Sequence, residues 1–264
     1  MTLSKPLDVF EADMRTIGWS VFPTILPPAQ VESMRADALA WVKKCEALQI
    51  KAGINAGGDG TGHHAVGEDA GALDAFLHQH LFHPYLSHYF AEKPYILHAA
   101  NPIYCAKGRS AYVQDMHRDT NTVIPGYRFR INMLVMLNDF TVENGATQML
   151  PDSQHMLEKP SEEIFQQGYK TLTGPAGSVV LFDSYLWHRG GQNITDTLRV
   201  AHTLSFGPAF VKPQVDYARM LGEAYGEALS PLSRQVLGYN VRVPTSLDEW
   251  YRPKAERLYH ADQG

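Results

Sequence analysis

The chain has 264 residues, 44% hydrophobic and 19% charged, with a formal net charge of -5 and a sequence pI of about 6.2. That balance describes an ordinary globular protein with ample material for a core. With no dense Lys/Arg run, it argues against a general nucleic-acid surface. No apolar run approaches the roughly 18 residues needed to span a bilayer, so no membrane partner is expected.

Met1 to Phe10 lacks the basic and then apolar pattern of a secretory signal. The two cysteines, Cys45 and Cys105, are too few for a disulfide framework and read as free thiols of a cytoplasmic protein. Residues 7–26 read as a short helix followed by the extended piece Trp19 to Leu26. Pro27-Pro28 opens a longer helix to about Leu48, with Val31, Met34, Ala38, Trp41, Val42 and Cys45 near one face. Ala52 to Ala72 holds seven glycines and reads as a mobile loop, either a surface linker or a lid over a substrate. A helix over about Leu73 to Glu92 follows.

After Pro94 the texture changes to short apolar and alternating runs. These are Tyr95–Ala99, Pro102–Ala106, Ala111–Met116, Arg130–Leu137, Thr147–Leu150, Ser178–Phe182 and Arg199–Phe206. Gly, Pro, Asn and Asp separate them, as in an antiparallel sandwich or barrel. Helical periodicity returns from Pro213 through Leu237. The tail from Gly238 is irregular, with Trp250, Tyr251 and Tyr259 as aromatic anchors. With no internal repeat or composition break, one α+β domain over 1–264 is expected. Its helical N-terminal part runs to about 93, a jelly-roll core spans about 94–210, and a helical tail covers about 211–264.

Two stretches carry the chemistry: Gln114-Asp115-Met116-His117-Arg118-Asp119 and Trp187-His188-Arg189-Gly190-Gly191. In extended backbone, residues i and i+2 project to one side, so His117 and Asp119 can reach one ion together. With a remote His188 they form the two-histidine, one-carboxylate set that suits Fe(II) while leaving positions open. Arg199 follows His188 by eleven residues, across a stretch rich in turn formers. A strand ending at His188 would then turn and return beside itself. That would bring a guanidinium, able to grip a carboxylate with two bonds, alongside the ligands.

Together with Glu143-Asn144-Gly145-Ala146-Thr147, Pro151-Asp152-Ser153-Gln154-His155 and His188-Arg189-Gly190-Gly191, these motifs resemble the phytanoyl-CoA dioxygenase family. The resemblance runs from about Gly18 to Tyr251. It implies a double-stranded β-helix, Fe(II) on His117, Asp119 and His188, and O2 and 2-oxoglutarate as cosubstrates, the latter held by Arg199. It also offers Gln114, Asn132 and Thr147 as hydrogen-bonding partners of 2-oxoglutarate; packing or satisfied core polar groups explain them equally well. Asp152 stands where the family has Gly, in a turn position that tolerates Asp. Halogenating relatives lack the carboxylate, so Asp119 favours hydroxylation or desaturation, with release of succinate and CO2, on a small-molecule substrate.

His63-His64 in the glycine-rich loop are candidate substrate contacts. Tyr104, Tyr112, Tyr127, Arg128 and Trp187 are candidates to line the pocket or simply to pack the core. Two other readings stay open. One is a metal enzyme on the same barrel without 2-oxoglutarate, and the other is a non-catalytic jelly-roll binding module. A monomer and a homodimer fit the sequence equally.

Overall fold

Helix formation at the N-terminus follows the spacing of apolar residues. In α1 (Leu7–Thr16), Phe10 and Met14 lie one turn apart and are both buried. In α2 (Pro28–Lys51), Pro28 sits at the start, where its missing N–H costs nothing, and Val31, Met34, Ala38 and Val42 form the buried stripe. The computed structural model describes residues 3–54, 60–108 and 112–263. Between the two helices, β1 (Trp19–Phe22) leaves the helical layer and joins a sheet.

In the glycine-rich stretch, residues 55–59, with Gly57 and Gly58, lie outside the described residues; the part beyond them is irregular but tied to the sheet by backbone bonds. From Gly60 to Ala65 the backbone runs beside β2 (Tyr95–Cys105), with Tyr104 N–H donating to Gly60 O, Gly62 N–H to Pro102 O and Ala65 N–H to Ala100 O. Gly60 adopts φ +78°, and a Cβ there would fall 2.4 Å from the Tyr104 carbonyl oxygen. Close backbone approach, rather than freedom, explains that glycine.

The expected helix over 73–92 is two helices, α3 (Ala72–Leu77) and α4 (His83–Tyr89). His80 sits at φ 51°, and Pro84 in the first turn of α4 cannot donate a backbone hydrogen bond to a continuing helix. His78 and His80 both bond Ser233 Oγ, at 2.9 and 2.8 Å, fastening the break to the C-terminal region.

The expected strands Tyr95–Ala99 and Pro102–Ala106 are one strand, β2, with a register shift at His98. It pairs along β8 (Arg199–Pro208), which pairs with β3 (Ile131–Met136), then β6 (Val179–Asp183), then β1, all antiparallel. A second sheet orders β5 (Lys170–Thr171), β4 (Gln148–Met149) and β7 (His188–Arg189), with α5 (Glu162–Gly168) leading into β5. The expected strand over 111–116 does not form in its described part: Tyr112–Gln114 is a 3-10 turn, and Ala111 lies outside the described residues.

The alternation of β3 sorts two cores. Ile131, Met133 and Val135 pack toward the helices with Leu181, Leu204 and Phe206. Leu134 and Met136 pack between the sheets with Phe140, Met149, Leu172, Val180 and Phe182. The expected helix over 213–237 is interrupted at Gly222 (φ +82°) and again before Pro231. It gives α6 (Tyr217–Leu221), α7 (Glu223–Glu227) and α8 (Pro231–Val236). After α9 (Leu247–Trp250), Trp250 and Tyr251 are 61% and 76% exposed and so do not anchor the tail; Tyr259 is half-buried. Among the described residues, no helix is long and apolar enough to cross a membrane.

Candidate metal centre

Backbone pairing brings the two sequence motifs together. His117 and His188 exchange both backbone hydrogen bonds, at 3.0 and 2.9 Å, and Asp119 N–H donates to Ser184 O at 3.0 Å. This pins residues 117–119 against the β7 segment and sets His117 and Asp119 on one side, as the i, i+2 spacing requires. Ligand atoms of His117, Asp119 and His188 lie within 4.8 Å of one another. His117 Nε2 stands 3.7 Å from Asp119 Oδ1, and His188 Nε2 stands 3.7 Å from Asp119 Oδ2.

The tautomers follow from the partners. His117 Nδ1 faces Asp115 O at 2.7 Å and His188 Nδ1 faces Leu186 O at 2.9 Å. A carbonyl only accepts, so each Nδ1 carries the proton and each Nε2 presents a lone pair. Such backbone restraint of the far ring nitrogen is the usual support of a metal-bound histidine. Burial, opposed by the nearby Asp119 charge, pulls the His188 pKa down and keeps its ring neutral. Phe182 packs edge-on to His188 at 5.2 Å and fixes the ring from the other side. Asn132 Nδ2 donates to Asp119 Oδ2 at 2.7 Å, so this amide orients the carboxylate.

The three residues open on a cavity of about 330 Å3 between the sheets. Arg199, Asn132 and Thr147 line the same cavity, whereas Gln114 lines a neighbouring one with Gln148 and Arg189. Arg199 is 4% exposed and its guanidinium touches the Cys105 thiol; among the described residues its Nε has no hydrogen-bond partner and no carboxylate lies within ion-pair distance. Desolvation lowers its pKa, yet a guanidinium stays charged in any protein setting. Its Cζ lies 5.0 Å from the centroid of the Phe140 ring. An unpaired buried cation is costly unless something anionic joins it. Two bare imidazole nitrogens, one oriented carboxylate and this guanidinium together suit a divalent ion with a bound carboxylic acid.

The route to Arg199 differs from the expected return beside β7. The chain crosses from the three-stranded to the five-stranded sheet, so Arg199 faces the ligands across the cavity. Asn193 shapes the crossing: buried, it donates to Cys105 O and Thr197 O, both at 2.8 Å. A Cβ on Gly190 would lie 3.6 Å from Arg199 Nη2, which places the guanidinium two residues along from His188. The other motifs are scaffold. Asn144 closes its own turn through Thr141 N–H and Asp139 O, and Gly145 packs on the Gly191 carbonyl. Asp152 takes a left-handed conformation at φ 62°, and Gln154 docks on the end of α1.

A match to the family model described as phytanoyl-CoA dioxygenase covers residues 14–201. The chain belongs to the phytanoyl-CoA dioxygenase family. Among curated relatives, an uncharacterized protein of Mycobacterium tuberculosis is 37% identical over 148 residues, 56% of this chain and 54% of the relative. The chain thus spans about half the length of that relative. Dioxygenase trt7 of Aspergillus terreus is 28% identical over 142 residues, covering 49% of this chain and 47% of that one. Of solved structures, AviO1 from Streptomyces viridochromogenes superposes with a TM-score of 0.61 at 18% identity, covering 81% of this chain and 99% of that one. EctD from S. alaskensis, solved with bound Fe, superposes with a TM-score of 0.57 at 19% identity, covering 79% and 80%. At these identities the likeness speaks for the fold, the double-stranded β-helix core expected from the sequence.

Several pocket candidates point elsewhere. Arg128 pairs with Glu11 at 2.9 Å, Tyr104 bonds Glu46, Tyr127 is 40% exposed, and Trp187 joins Met116, Leu150 and Phe165 in a small separate cluster. The Tyr112 side chain lies outside what is described. His63 lines the cavity; His64 instead bonds Tyr217 at 2.7 Å. Sequence reading missed Arg130, His98 and Ser205, which also line the cavity. The available signal was Arg130-x-Asn132-x-Leu134, a period of two that turns Arg130 to the same side as Asn132.

Proposed function

We propose that this protein is a non-haem Fe(II)/2-oxoglutarate-dependent oxygenase that hydroxylates or desaturates an unactivated C–H bond of a small metabolite. Succinate and CO2 leave as coproducts, and O2 is the oxidant. The observation that carries this reading is the pairing of a bare-nitrogen His117–Asp119–His188 face with a buried Arg199 that no carboxylate among the described residues pairs, in one cavity. Iron, when bound, supplies the oxidising power that no side chain possesses.

The chain's own residues do the rest. His117 and His188 hold their Nε2 atoms forward because the backbone fixes their Nδ1 protons. Asn132 keeps one Asp119 oxygen engaged, leaving the other free for the ion. Arg199 offers a fork of N–H donors to the distal carboxylate of 2-oxoglutarate, with Thr147 beside it. Leu134, Phe182 and Ala201 supply dry walls that limit competing reactions.

Anaerobic calorimetry of 2-oxoglutarate binding to the Fe(II)-loaded protein tests the reading. Arg199→Met removes a charge-assisted, two-bond contact and should weaken 2-oxoglutarate by about 100-fold. Asp119→Ala should abolish the metal-dependent part of that binding. Wild-type affinity in both variants would refute the assignment.

A further inference from the structure

The cavity has a second guanidinium, at the opposite end of β8 from Arg199. Asn132 and Leu134 on β3, with Arg130 just before it, all line it; on β8, Arg199, Ala201, Thr203 and Ser205 do. Asn132 pairs directly with Ser205, so Arg130 lies just beyond that pair, near the edge of the sheet. Ser205 lies six positions beyond Arg199, about 20 Å along the strand at about 3.3 Å per residue, a span that a five-carbon diacid cannot bridge.

Arg130 carries no structural obligation that would explain its charge. Among the described residues its Nε has no hydrogen-bond partner, and Ser205 Oγ, also buried, has none either. Among the same residues, Arg130 Nη2 meets only His98 Nδ1, at 3.4 Å. Burial pushes the His98 pKa down to about 4, so the ring is neutral and accepts from the guanidinium without competing for an anion. The acid whose field reaches Arg130 is Asp119, which is already engaged by Asn132 and belongs to the metal face. Among the described residues no carboxylate lies within ion-pair distance of Arg130. Buried polar groups left unpaired within a native cavity call for an explanation, and a bound ligand supplies one.

We propose that this end of the cavity is a substrate carboxylate subsite, in which Arg130 grips the anion, Ser205 adds a hydrogen bond and His98 orients Arg130. One fork and one hydroxyl suit a monoanionic carboxylate. Among the described lining residues no lysine is present to balance a phosphate dianion. The substrate is therefore a small carboxylic acid, bound by its acid group on the Asp119 side while 2-oxoglutarate takes the Arg199 end. The inference rests on the oxygenase reading only for what fills the Arg199 end.

The test uses a panel of monocarboxylates of graded length, each paired with its primary amide, titrated against the protein with Mn(II) and 2-oxoglutarate in the absence of oxygen. At least one acid should bind about ten-fold or more tighter than its amide, the worth of one charge-assisted contact. R130M should bring that preference to within about two-fold yet leave 2-oxoglutarate affinity unchanged. R199M should do the reverse. The melting temperature of ligand-free R130M should be close to wild type, because the lost guanidinium made only a long 3.4 Å contact to His98 and no ion pair; a structural role would lower it. If R130M does not fold, S205A carries the comparison, with an expected loss of about three- to five-fold in acid preference.

No acid preferred over its amide, a preference intact in R130M, or a loss of 2-oxoglutarate instead of the acid would each overturn the subsite. Failure of 2-oxoglutarate to bind wild type refutes the oxygenase reading separately. The acid–amide comparison, read with R130M against R199M on protein without 2-oxoglutarate, still decides the subsite.

Discussion

The two faces of β3 and β8 are made by one alternation and do opposite work. Toward the helices stand Ile131, Met133 and Val135 on one strand and Val200, Leu204 and Phe206 on the other, all buried among apolar neighbours. Toward the second sheet stand Arg130, Asn132, Arg199, Thr203 and Ser205 around a cavity. Packing and chemistry are separated by a single residue step, so the side a position faces decides what its substitution costs. A rigid apolar backing also lets the cavity face hold buried unpaired polar groups that a looser sheet would hydrate or collapse around.

The widest effect expected from that division is on stability. Leu181, fully buried against Met133 across the β3–β6 pairing, faces the helices. Leu181→Ala should cost about 2–5 kcal/mol in urea unfolding through lost contacts and the cavity left behind. The remaining folded protein should bind 2-oxoglutarate with wild-type affinity. A variant that instead unfolds normally and loses the cosubstrate would break the division of faces.

One step away, Asn132→Ala should do the converse. It removes the 2.7 Å bond that orients Asp119, and support of this kind is typically worth about 10- to 100-fold in metal affinity. Equilibrium dialysis of Fe(II) or Mn(II) against both proteins reads it, and the melting temperature should move far less than for Leu181→Ala. Unchanged metal affinity would make Asn132 a packing amide.

Much of this division was legible in the residues alone. His117-x-Asp119 names its own geometry, because i and i+2 share a side wherever the backbone is extended. Arg199 was legible as a partner of the site, but not its route, since a run of turn formers after His188 cannot say whether the chain returns to its own sheet or crosses to the facing one. That choice is made by Asn193, whose two bonds reach residues 4 and 88 positions away in the chain. The glycine-rich stretch was only partly legible for a related reason. Composition cannot tell a glycine needed for freedom from one needed for close approach, as at Gly60 against the Tyr104 carbonyl. The long helices expected after Leu73 and Pro213 failed at His80, Gly222 and Pro231, where local backbone geometry overrode apolar periodicity. Arg130 passed unnoticed beside Arg128, which shares its parity with Asn132 but is spent on Glu11.

The exception to the sorting is His202, which sits on the helix-facing side of β8 between Val200 and Leu204. It is fully buried, and both its nitrogens lack partners among the described residues. Burial pushes its pKa down from 6.5 to about 3. Between those values an unfolded chain takes up a proton that the folded protein refuses, so stability falls as pH drops from about 6.5 toward 3 and is complete above that window. Each pH unit inside it is worth about 1.4 kcal/mol, so this one ring predicts a loss of about 2 kcal/mol between pH 7 and 5. His80 and His98, each pushed down to about 4 by burial, act in the same direction. His202→Leu conserves bulk and removes the titrating group. At neutral pH it should be neutral or stabilising by about 1 kcal/mol, because no polar atom is left buried without a partner. Its loss of stability between pH 7 and 5, from urea unfolding at each pH, should be about 2 kcal/mol smaller than that of the wild type. An unchanged acid slope would mean that His202 is protonated or hydrated in the folded protein, and the apolar seal on that face would be incomplete.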